Sequence, residues 1–211
     1  MSFINMPPAF VLFGSYMVFW SAMAVSPSDW HNWILASVIP AIVLGGLVVS
    51  HRVLPLSVVS YLLIGAFIML HTVGAHYTYA RVPLGDWLSL FLADGRNDYD
   101  RMVHFAFGLL LAAPIREAFA RVANVRGLLL YYLPVMTIVG LSSLWEILES
   151  WVAQVVSPEL GAAYLGSQGD VWDAQKDMAA ALYGVLLWLA LRVWAQRRSA
   201  RAATNPVGTQ S

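Results

Sequence analysis

The sequence predicts an all-α protein of the polytopic membrane class, built as a bundle of six transmembrane helices. The chain has 211 residues, of which 59% are hydrophobic and only 11% are charged. Soluble domains carry about 25% charged residues, so this composition indicates a protein that lies in a bilayer. Six segments are also long and apolar enough to cross a membrane, which takes about 20 residues in a helix. Proline and glycine residues separate these segments, as expected of the loops between helices.

The six predicted helices form one domain, which we place at residues 1–196. The sequence contains no internal repeat and no sign of a second domain. The first segment has no Lys or Arg before its apolar stretch, so we expect a retained helix rather than a signal peptide. Residues 197–211 are polar and basic, and we expect a disordered cytoplasmic tail there. The helices are predicted at residues 6–25, 30–50, 56–79, 100–119, 128–156 and 171–194.

The distribution of charge predicts the orientation of the helices in the membrane. Cytoplasmic loops are enriched in Lys and Arg, and eight of the twelve basic residues lie inside if the amino terminus is cytoplasmic. Both termini are then cytoplasmic, because the number of helices is even. Eleven of the twelve acidic residues fall on the outer side, with Glu117 as the exception. The formal net charge is zero, which argues against nucleic acid as a partner and leaves the lipid bilayer as the expected one.

Titratable residues gather near the outer ends of the third and fourth predicted helices. His71 and His76 are five residues apart, so they do not share one face of a regular helix. Asp100 and His104 are spaced i, i+4, which places carboxylate and imidazole on the same face. Asp98 precedes the fourth helix, where its side chain is expected to cap the first turn. The Asp100–His104 pair suits a metal ligand set or a carboxylate that orients a histidine.

Acidic residues also occur inside the fifth and sixth predicted helices. Glu146 and Glu149 are spaced i, i+3 and share a face, in a segment without Lys or Arg. Asp170, Asp173 and Asp177 follow the spacing i, i+3, i+7 and line one stripe of the sixth helix. An ionisable group near the centre of a bilayer helix costs about 2.5–3.5 kcal/mol, so such residues usually mark a functional site.

These histidines and carboxylates predict a divalent-metal site on the outer side of the membrane. Imidazole with oxygen ligands suits zinc, manganese or iron, and oxygen alone suits magnesium or calcium, so the identity of the metal stays open. The chain has no cysteine, which excludes a thiolate site. We predict Glu149 or Asp100 as the general base, and Arg81 and Arg101 as contacts for an anionic headgroup. The predicted metal ligands are His71, His76, His104, Glu146, Asp173 and Asp177.

A structural polar network is the alternative to a metal site. Arg81, Arg101 and Lys176 can act as counterions for the acids, and Lys176 is spaced i+3 from Asp173. The chain has no His-Glu-x-x-His motif, no Glu-x-x-His pair of the di-iron type and no Gly-x-Ser-x-Gly elbow. The pattern therefore indicates a polar site without selecting its chemistry.

Four motifs in these helices carry a family resemblance that runs from about Leu12 to Trp188. They are His71-Thr-Val-Gly-Ala-His76-Tyr-x-Tyr, Asp98-x-Asp100-Arg101-x-x-His104-Phe105-x-x-Gly108, Trp145-Glu146-x-x-Glu149 and Gly169-Asp170-x-Trp172-Asp173-x-x-x-Asp177-Met178. Through them the chain resembles the YjdF-like family of bacterial inner-membrane proteins, whose function is unknown. The resemblance implies a multi-pass protein of the bacterial inner membrane, and it implies no activity.

The second half of the chain also resembles the wider VanZ-like group, which is linked to resistance to glycopeptide antibiotics of the teicoplanin type. That group has an Asp-Lys-x-x-His-Phe motif, an acid in the next helix, and then Asp-x-x-x-Asn. The equivalent places here are held by Asp100-Arg101-x-x-His104-Phe105, Glu146 with Glu149, and Asp173-x-x-x-Asp177. Arg101 thus replaces Lys and Asp177 replaces Asn. The resemblance implies a role with envelope lipids or glycans, and the additional carboxylate suits a cation that the VanZ-like proteins lack.

Three functions are compatible with this pattern. The first is a metal-dependent membrane hydrolase or transferase that acts on an envelope lipid, or on a lipid-linked or phosphorylated substrate, at the outer leaflet. The second is a proton-coupled or metal transporter, although the inner halves of the helices are apolar and no repeat is present. The third is a non-catalytic scaffold in which the polar cluster holds the helices together. Glycines that allow close helix packing favour the third function; they are Gly45, Gly46, Gly65, Gly108, Gly140 and Gly184.

Overall fold

The helical bundle is described by a computed structural model that covers residues 7–92 and 95–204. Within these residues the chain forms helices and loops and no strand. Five helices, α2, α3, α5, α6 and α8, are long and apolar enough to cross a membrane, and α1 is a shorter apolar helix. The predicted all-α polytopic class is therefore confirmed. The helices are α1 (Pro8–Met23), α2 (Trp30–Ser50), α3 (Val58–Tyr77), α4 (Pro83–Leu92), α5 (Tyr99–Arg121), α6 (Leu129–Val155), α7 (Pro158–Leu165) and α8 (Asp173–Thr204).

Two short helices, α4 and α7, occupy segments that the sequence predicted as loops. Pro83 and Pro158 are the first residues of these helices, because proline fits the first turn, where its missing N–H needs no partner. The Ser157 hydroxyl caps α7 by accepting a hydrogen bond from the backbone N–H of Leu160 at 3.3 Å. Gly166 ends α7 in the left-handed conformation, with φ of +63°. The prolines correctly predicted where the membrane helices end, but Pro83 and Pro158 also begin the short helices α4 and α7.

The last helix is longer than predicted. α8 continues through Thr204 and so includes residues 197–204 of the predicted tail, whereas residues 205–211 lie outside the described part of the chain. Ala, Arg and Gln predominate beyond the apolar stretch of α8. These residues have high helix propensity, so a polar composition alone does not end the helix.

The α5–α8 crossing brings the two backbones into direct contact. A Cβ atom added to Gly108 would overlap the carbonyl oxygen of Ala181, and one added to Gly184 would overlap that of Phe105. Neighbouring apolar side chains complete the contact, and Val185 is fully buried in the same cluster. The two helices run parallel, since their first turns also meet: carboxylate oxygens of Asp100 in α5 and of Asp173 and Asp177 in α8 lie within 4.8 Å of one another. Their first turns therefore lie at the same end of the bundle, which we call the site end.

The helix α3 joins the first two helices to the site end. Its Ile64 and Ile68 are buried against α1, in a core that includes Leu12 and Tyr16. A Cβ atom on Gly65 would lie 2.7 Å from a methyl group of Leu12, so a close approach of α1 also depends on a glycine. Inside a bilayer the hydrophobic effect does not bring helices together, so close packing of this kind must stabilise their association. It fixes the end of α3, and with it His71 and His76, beside α2.

The opposite end of the bundle contains one acid, Glu117, with a complete set of partners. Its carboxylate accepts hydrogen bonds from the backbone N–H and the hydroxyl of Ser57, at 2.9 and 2.8 Å, and from the hydroxyl of Ser60. Arg121 forms an ion pair with it at 2.7 Å. Glu117 thus ties the start of α3 to the end of α5, which is a structural role.

The α5–α8 contact predicts a difference between two glycines. Gly184→Ala should destabilise the protein by about 1–3 kcal/mol, because the added methyl group meets a backbone that cannot move away cheaply. Gly140→Ala is the matched control, since a Cβ there meets nothing within 4 Å and alanine raises helix propensity equally at both sites. Unfolding of the detergent-solubilised proteins measures the effect. Equal stability of the two variants would contradict the close contact.

Candidate functional site

Carboxylates from several segments meet at the site end of the bundle. They come from the loop before α5, from α5 itself, from α6, and from the residues that open α8. Cationic side chains from the same loops and helices lie among them. We call this group the carboxylate cluster; its acids are Asp98, Asp100, Glu146, Glu149, Asp170, Asp173 and Asp177, and its cations are Arg96, Arg101 and Lys176.

The guanidinium of Arg96 is the central cation of the cluster. It donates a short hydrogen bond from Nη1 to Oδ1 of Asp173. Its Nη1 also lies 3.5 Å from Oδ2 of Asp170, and its Nε lies 3.8 Å from Oδ1 of Asp98. The side chain is only 8% exposed, and a charge so deeply buried requires opposite charges around it. Arg96 thus ties the loop before α5 to the start of α8.

A second group of ion pairs is centred on Asp170. Its Oδ2 accepts hydrogen bonds from Arg101 and from Lys176, both at 2.6 Å. The hydrogen bond from Lys176 lowers the pKa of the Asp170 carboxyl below its usual value. Arg101 also donates to Asp98 at 2.9 Å. The prediction that Asp98 caps α5 is wrong, because its side chain makes no capping hydrogen bond and instead binds arginine.

Four carboxylates of the cluster remain without such a cation. Among the residues that the structure describes, no Lys or Arg lies within ion-pair distance of them. They lie within the membrane helices rather than in the loops, and their side chains are almost completely enclosed. They are Asp100, Glu146, Glu149 and Asp177.

His104 faces two of these four carboxylates. Its Nε2 lies 3.7 Å from Oδ1 of Asp100 and 3.4 Å from Oε1 of Glu146. The i, i+4 pairing of Asp100 with His104 that the sequence predicted is therefore confirmed. The other ring nitrogen, Nδ1, lies 3.5 Å from the hydroxyl of Ser142. This arrangement directs Nε2 between carboxylates of α5 and α6.

Two triads of side chains have the spacing that a metal ion requires. One ligand atom from each of His104, Glu146 and Asp177 lies within 4.8 Å of the others, and the same holds for Asp100, Asp173 and Asp177. Ligands bound to one cation at about 2.0–2.6 Å must lie at such separations. Asp177 belongs to both triads. Four of the six predicted metal ligands, His104, Glu146, Asp173 and Asp177, are thus brought together.

The remaining two predicted ligands, His71 and His76, lie outside both triads. Nε2 of His71 is 2.9 Å from the carbonyl oxygen of Ala36, and its Nδ1 is 2.5 Å from the hydroxyl of Tyr79. His76 lies 2.7 Å through Nδ1 from the carbonyl oxygen of Met23. Both ring nitrogens of His71 therefore take part in hydrogen bonds that join α2, α3 and the following turn.

The predicted anion-binding arginines are also separated. Arg101 belongs to the cluster, where aspartates already bind it. Arg81 is exposed and lines a different cavity of about 630 Å³, together with Asp29 and Glu159. Of the two arginines, only Arg101 is near the triads. Glu149, the predicted general base, is buried beside Glu146 within the cluster.

A small cavity of about 180 Å³ lies next to the cluster, between α6 and the start of α8. One member of each triad faces it, Glu146 from the first and Asp173 from the second. Two exposed apolar residues lie at its edge: Val171, which lines the cavity and is 84% exposed, and the next residue in the chain, Trp172, which is 62% exposed. The rest of its lining comes from Ser150, Leu165, Ser167, Asp170 and Ala174.

Sequence reasoning missed the residues that hold the loops over the cluster. Gln168 forms two hydrogen bonds with the backbone of Asn97, each 2.9 Å long. A Cβ atom on Gly166 would lie 3.2 Å from Oδ2 of Asp100, so the backbone after α7 lies directly against a cluster carboxylate. Arg96 was the main omission. The polar run of residues 95–98 between two apolar segments was the available signal.

The structure defines an integral membrane protein whose helical bundle encloses carboxylates and a histidine at one end. The chain belongs to the family described as "Predicted membrane protein (DUF2238)", whose family model matches residues 8–198. It is also similar to "Inner membrane protein YjdF" of Escherichia coli (strain K12). The two are 36% identical over 164 residues, which cover 77% of this chain and 78% of the relative. No solved structure matches the chain.

These comparisons confirm the predicted family and its location. A multi-pass protein of the inner membrane agrees with the apolar helices and with the name of the Escherichia coli relative. Neither description gives an activity, a substrate or a ligand. The more distant resemblance to the VanZ-like group stays a prediction.

The central position of Arg96 predicts a large effect on stability. Arg96→Met should destabilise the protein by about 3–5 kcal/mol, because it leaves the buried Asp173 without its hydrogen-bonded cation. Arg81→Met is the control at an exposed arginine, where a surface substitution should change stability by at most about 0.5 kcal/mol. Chemical unfolding in detergent compares the two variants. A similar small loss in both would show that Arg96 does not hold the loops.

Proposed function

We propose that this protein is a metal-dependent membrane enzyme, a hydrolase or transferase, whose divalent cation is bound by His104, Glu146 and Asp177. The observation that carries the proposal is the state of Asp177. The residue is 2% exposed, and its Oδ1 has no hydrogen-bond partner in the described parts of the chain. A buried carboxylate oxygen without a partner is costly unless a cation or a proton neutralises it. The adjacent imidazole and carboxylate complete a ligand set for a metal.

The chemistry that such a site offers is Lewis-acid catalysis. A cation there would polarise a phosphoryl or carbonyl oxygen and activate a bound water molecule. Glu149 is the proposed general base, because it is buried next to the triad and belongs to neither ligand set. Asp100 is the alternative base if it does not bind metal itself. Arg101 is the only predicted headgroup contact that lies near the triads.

The adjoining cavity supports a lipid-linked or phosphorylated substrate. Its volume of about 180 Å³ is smaller than the roughly 300–1,000 Å³ of pockets that enclose a whole small molecule. It therefore has room for the reacting group and not for a long tail. The exposed Val171 and Trp172 beside it offer an apolar surface to such a tail. The proposed substrate reaches the site from the outer leaflet, because the charge bias of the loops assigns the site end to that side.

Transport is less well supported than catalysis. Beyond the cluster, the core between α5, α6 and α8 is closed by fully buried apolar side chains; they are Ala112, Ile138, Ala181 and Val185. The acid at the other end of the bundle, Glu117, is occupied by serine hydroxyls and Arg121. A transported ion needs polar groups along its path, and the buried side chains of this core between α5, α6 and α8 are apolar.

Metal analysis of the purified protein tests the proposed site. Wild-type protein should retain a divalent metal after purification in detergent and dialysis, and His104→Ala and Asp177→Asn should lose it, because each removes one ligand. His31→Ala and Glu159→Gln are the matched controls, since both residues are exposed and lie away from the triads. The metal content of each protein is measured by mass spectrometry.

Two results would contradict the metal site. One is wild-type protein that takes up neither Zn²⁺ nor Mn²⁺ when these ions are supplied. The other is an unchanged metal content in both ligand variants. If His104→Ala and Asp177→Asn fail to fold, Glu146→Gln provides a variant of nearly equal shape at the third ligand. The absence of metal from a folded wild-type protein would favour the scaffold, in which protons neutralise the buried acids.

The role of Glu149 is tested separately from metal binding. Glu149→Gln should keep its metal, because Glu149 lies in neither triad, and should lose activity by about 10²–10⁴-fold as a general base is removed. The assay follows phosphate release from phosphatidic acid or a polyprenyl diphosphate in detergent micelles, with Glu159→Gln as the control. Full activity of the Glu149 variant would exclude it as the base. The absence of phosphate release by metal-loaded wild-type protein would overturn the hydrolase assignment for these substrates.

A further inference from the structure

A second ligand set lies beside the first and shares one residue with it. Asp100 of α5 and Asp173 and Asp177 of α8 each present one carboxylate oxygen, and these oxygens lie within 4.8 Å of one another. All three residues are buried. Asp177 is also a member of the triad with His104 and Glu146. We propose that the carboxylate cluster binds two divalent cations, one in each triad, with Asp177 as the bridging ligand. This inference rests on the proposed function and extends it.

The bridging role agrees with the surroundings of Asp177. The residue is 2% exposed, and its Oδ1 makes no hydrogen bond within the described ranges of the chain. Oε1 of Glu146, next to it in the first triad, makes none either. By contrast, the aspartates at the helix ends, Asp98, Asp170 and Asp173, all bind arginine. A carboxylate has two oxygens and can bind a cation through each of them.

The charge of the cluster also agrees with two cations. Among the residues that the structure describes, seven carboxylates face three cationic side chains there, so these groups leave four negative charges when every acid is ionised. Two divalent cations neutralise this remainder, whereas one leaves half of it buried. A buried charge without compensation is costly, so the remainder must be neutralised by cations or by protons, and two divalent cations match it in number.

The two triads differ in chemistry, so they should differ in the metals they prefer. The first contains imidazole and suits zinc, manganese or iron, whereas the second has only oxygen donors and suits magnesium or manganese. Arg96 binds one oxygen of Asp173, and its positive charge opposes a cation in the second triad. The second triad should therefore bind more weakly and release its metal first to a chelator.

Two cations also narrow the class of substrate. The cavity between α6 and α8 is lined by Glu146 from the first triad and by Asp173 from the second. A group bound in this cavity would be next to both cations. Pairs of cations stabilise the charge that develops on a phosphoryl group during displacement. The arrangement therefore suits a phosphate ester, which is the substrate class of the proposed function.

Manganese binding tests the number of cations, and it uses the full-length protein in detergent. Metal-free wild-type protein titrated with Mn²⁺ should bind about two ions per chain, and its electron paramagnetic resonance spectrum should show exchange coupling between neighbouring ions. Asp100→Asn should reduce binding to about one uncoupled ion, because Asp100 is a ligand in the second triad and not in the first. Glu159→Gln, at an exposed acid outside both triads, should bind as the wild type does.

The wild-type titration decides the proposal without any variant. Binding of one Mn²⁺ with an uncoupled spectrum would overturn the second cation and leave the proposed mononuclear enzyme standing. Binding of no Mn²⁺ by folded protein, repeated with Zn²⁺, would overturn both. Two ions without exchange coupling would also overturn the bridge, since Asp177 could not then join them.

Discussion

The contact between the backbones of α5 and α8 determines the site more than any single side chain. Gly108 and Gly184 let the two helices touch, and the parallel arrangement keeps their first turns level. His104 lies one turn before Gly108 in α5, and Asp177 lies two turns before Gly184 in α8. The hydrophobic effect does not drive helices together inside a bilayer, so their association depends on close packing at small residues. The ligand triads are a consequence of this register.

The cluster separates into two parts that differ in depth and in partners. The aspartates at the helix ends bind Arg96, Arg101 and Lys176, and these ion pairs fix the loops before α5 and α8. The carboxylates inside the helices have no such cation among the described residues. Ionisable groups become more costly with depth in a membrane. The deeper acids are thus the ones whose charge is not balanced by a neighbouring Lys or Arg, and three of them, Asp100, Glu146 and Asp177, lie close to His104.

Sequence patterns predicted the features that depend on local geometry, such as helices and pairings within one helix. They missed the contacts between residues that are distant in the sequence. The membrane helices follow from apolar length, and the pairing of Asp100 with His104 follows from helical spacing. His71 was predicted as a ligand, yet its ring faces a carbonyl group of α2, which no pattern within α3 can indicate. Arg96 was missed for the same reason, since its partner Asp173 is distant in the sequence. Helix propensity overrode polarity after residue 196, where a disordered tail was predicted.

A comparison within the molecule separates a structural acid from a candidate ligand. Glu117 shows how this fold satisfies a carboxylate that only joins helices: two serines donate hydrogen bonds to it, and Arg121 neutralises it. Asp177 is more deeply buried, yet its Oδ1 lacks any hydrogen-bond donor in the described chain, and its neighbours are other carboxylates and a histidine. A group that served only to hold helices together would be expected to have partners like those of Glu117. The neighbours of Asp177 are themselves cation ligands by chemistry, and this contrast with Glu117 supports the proposed metal ion as its partner.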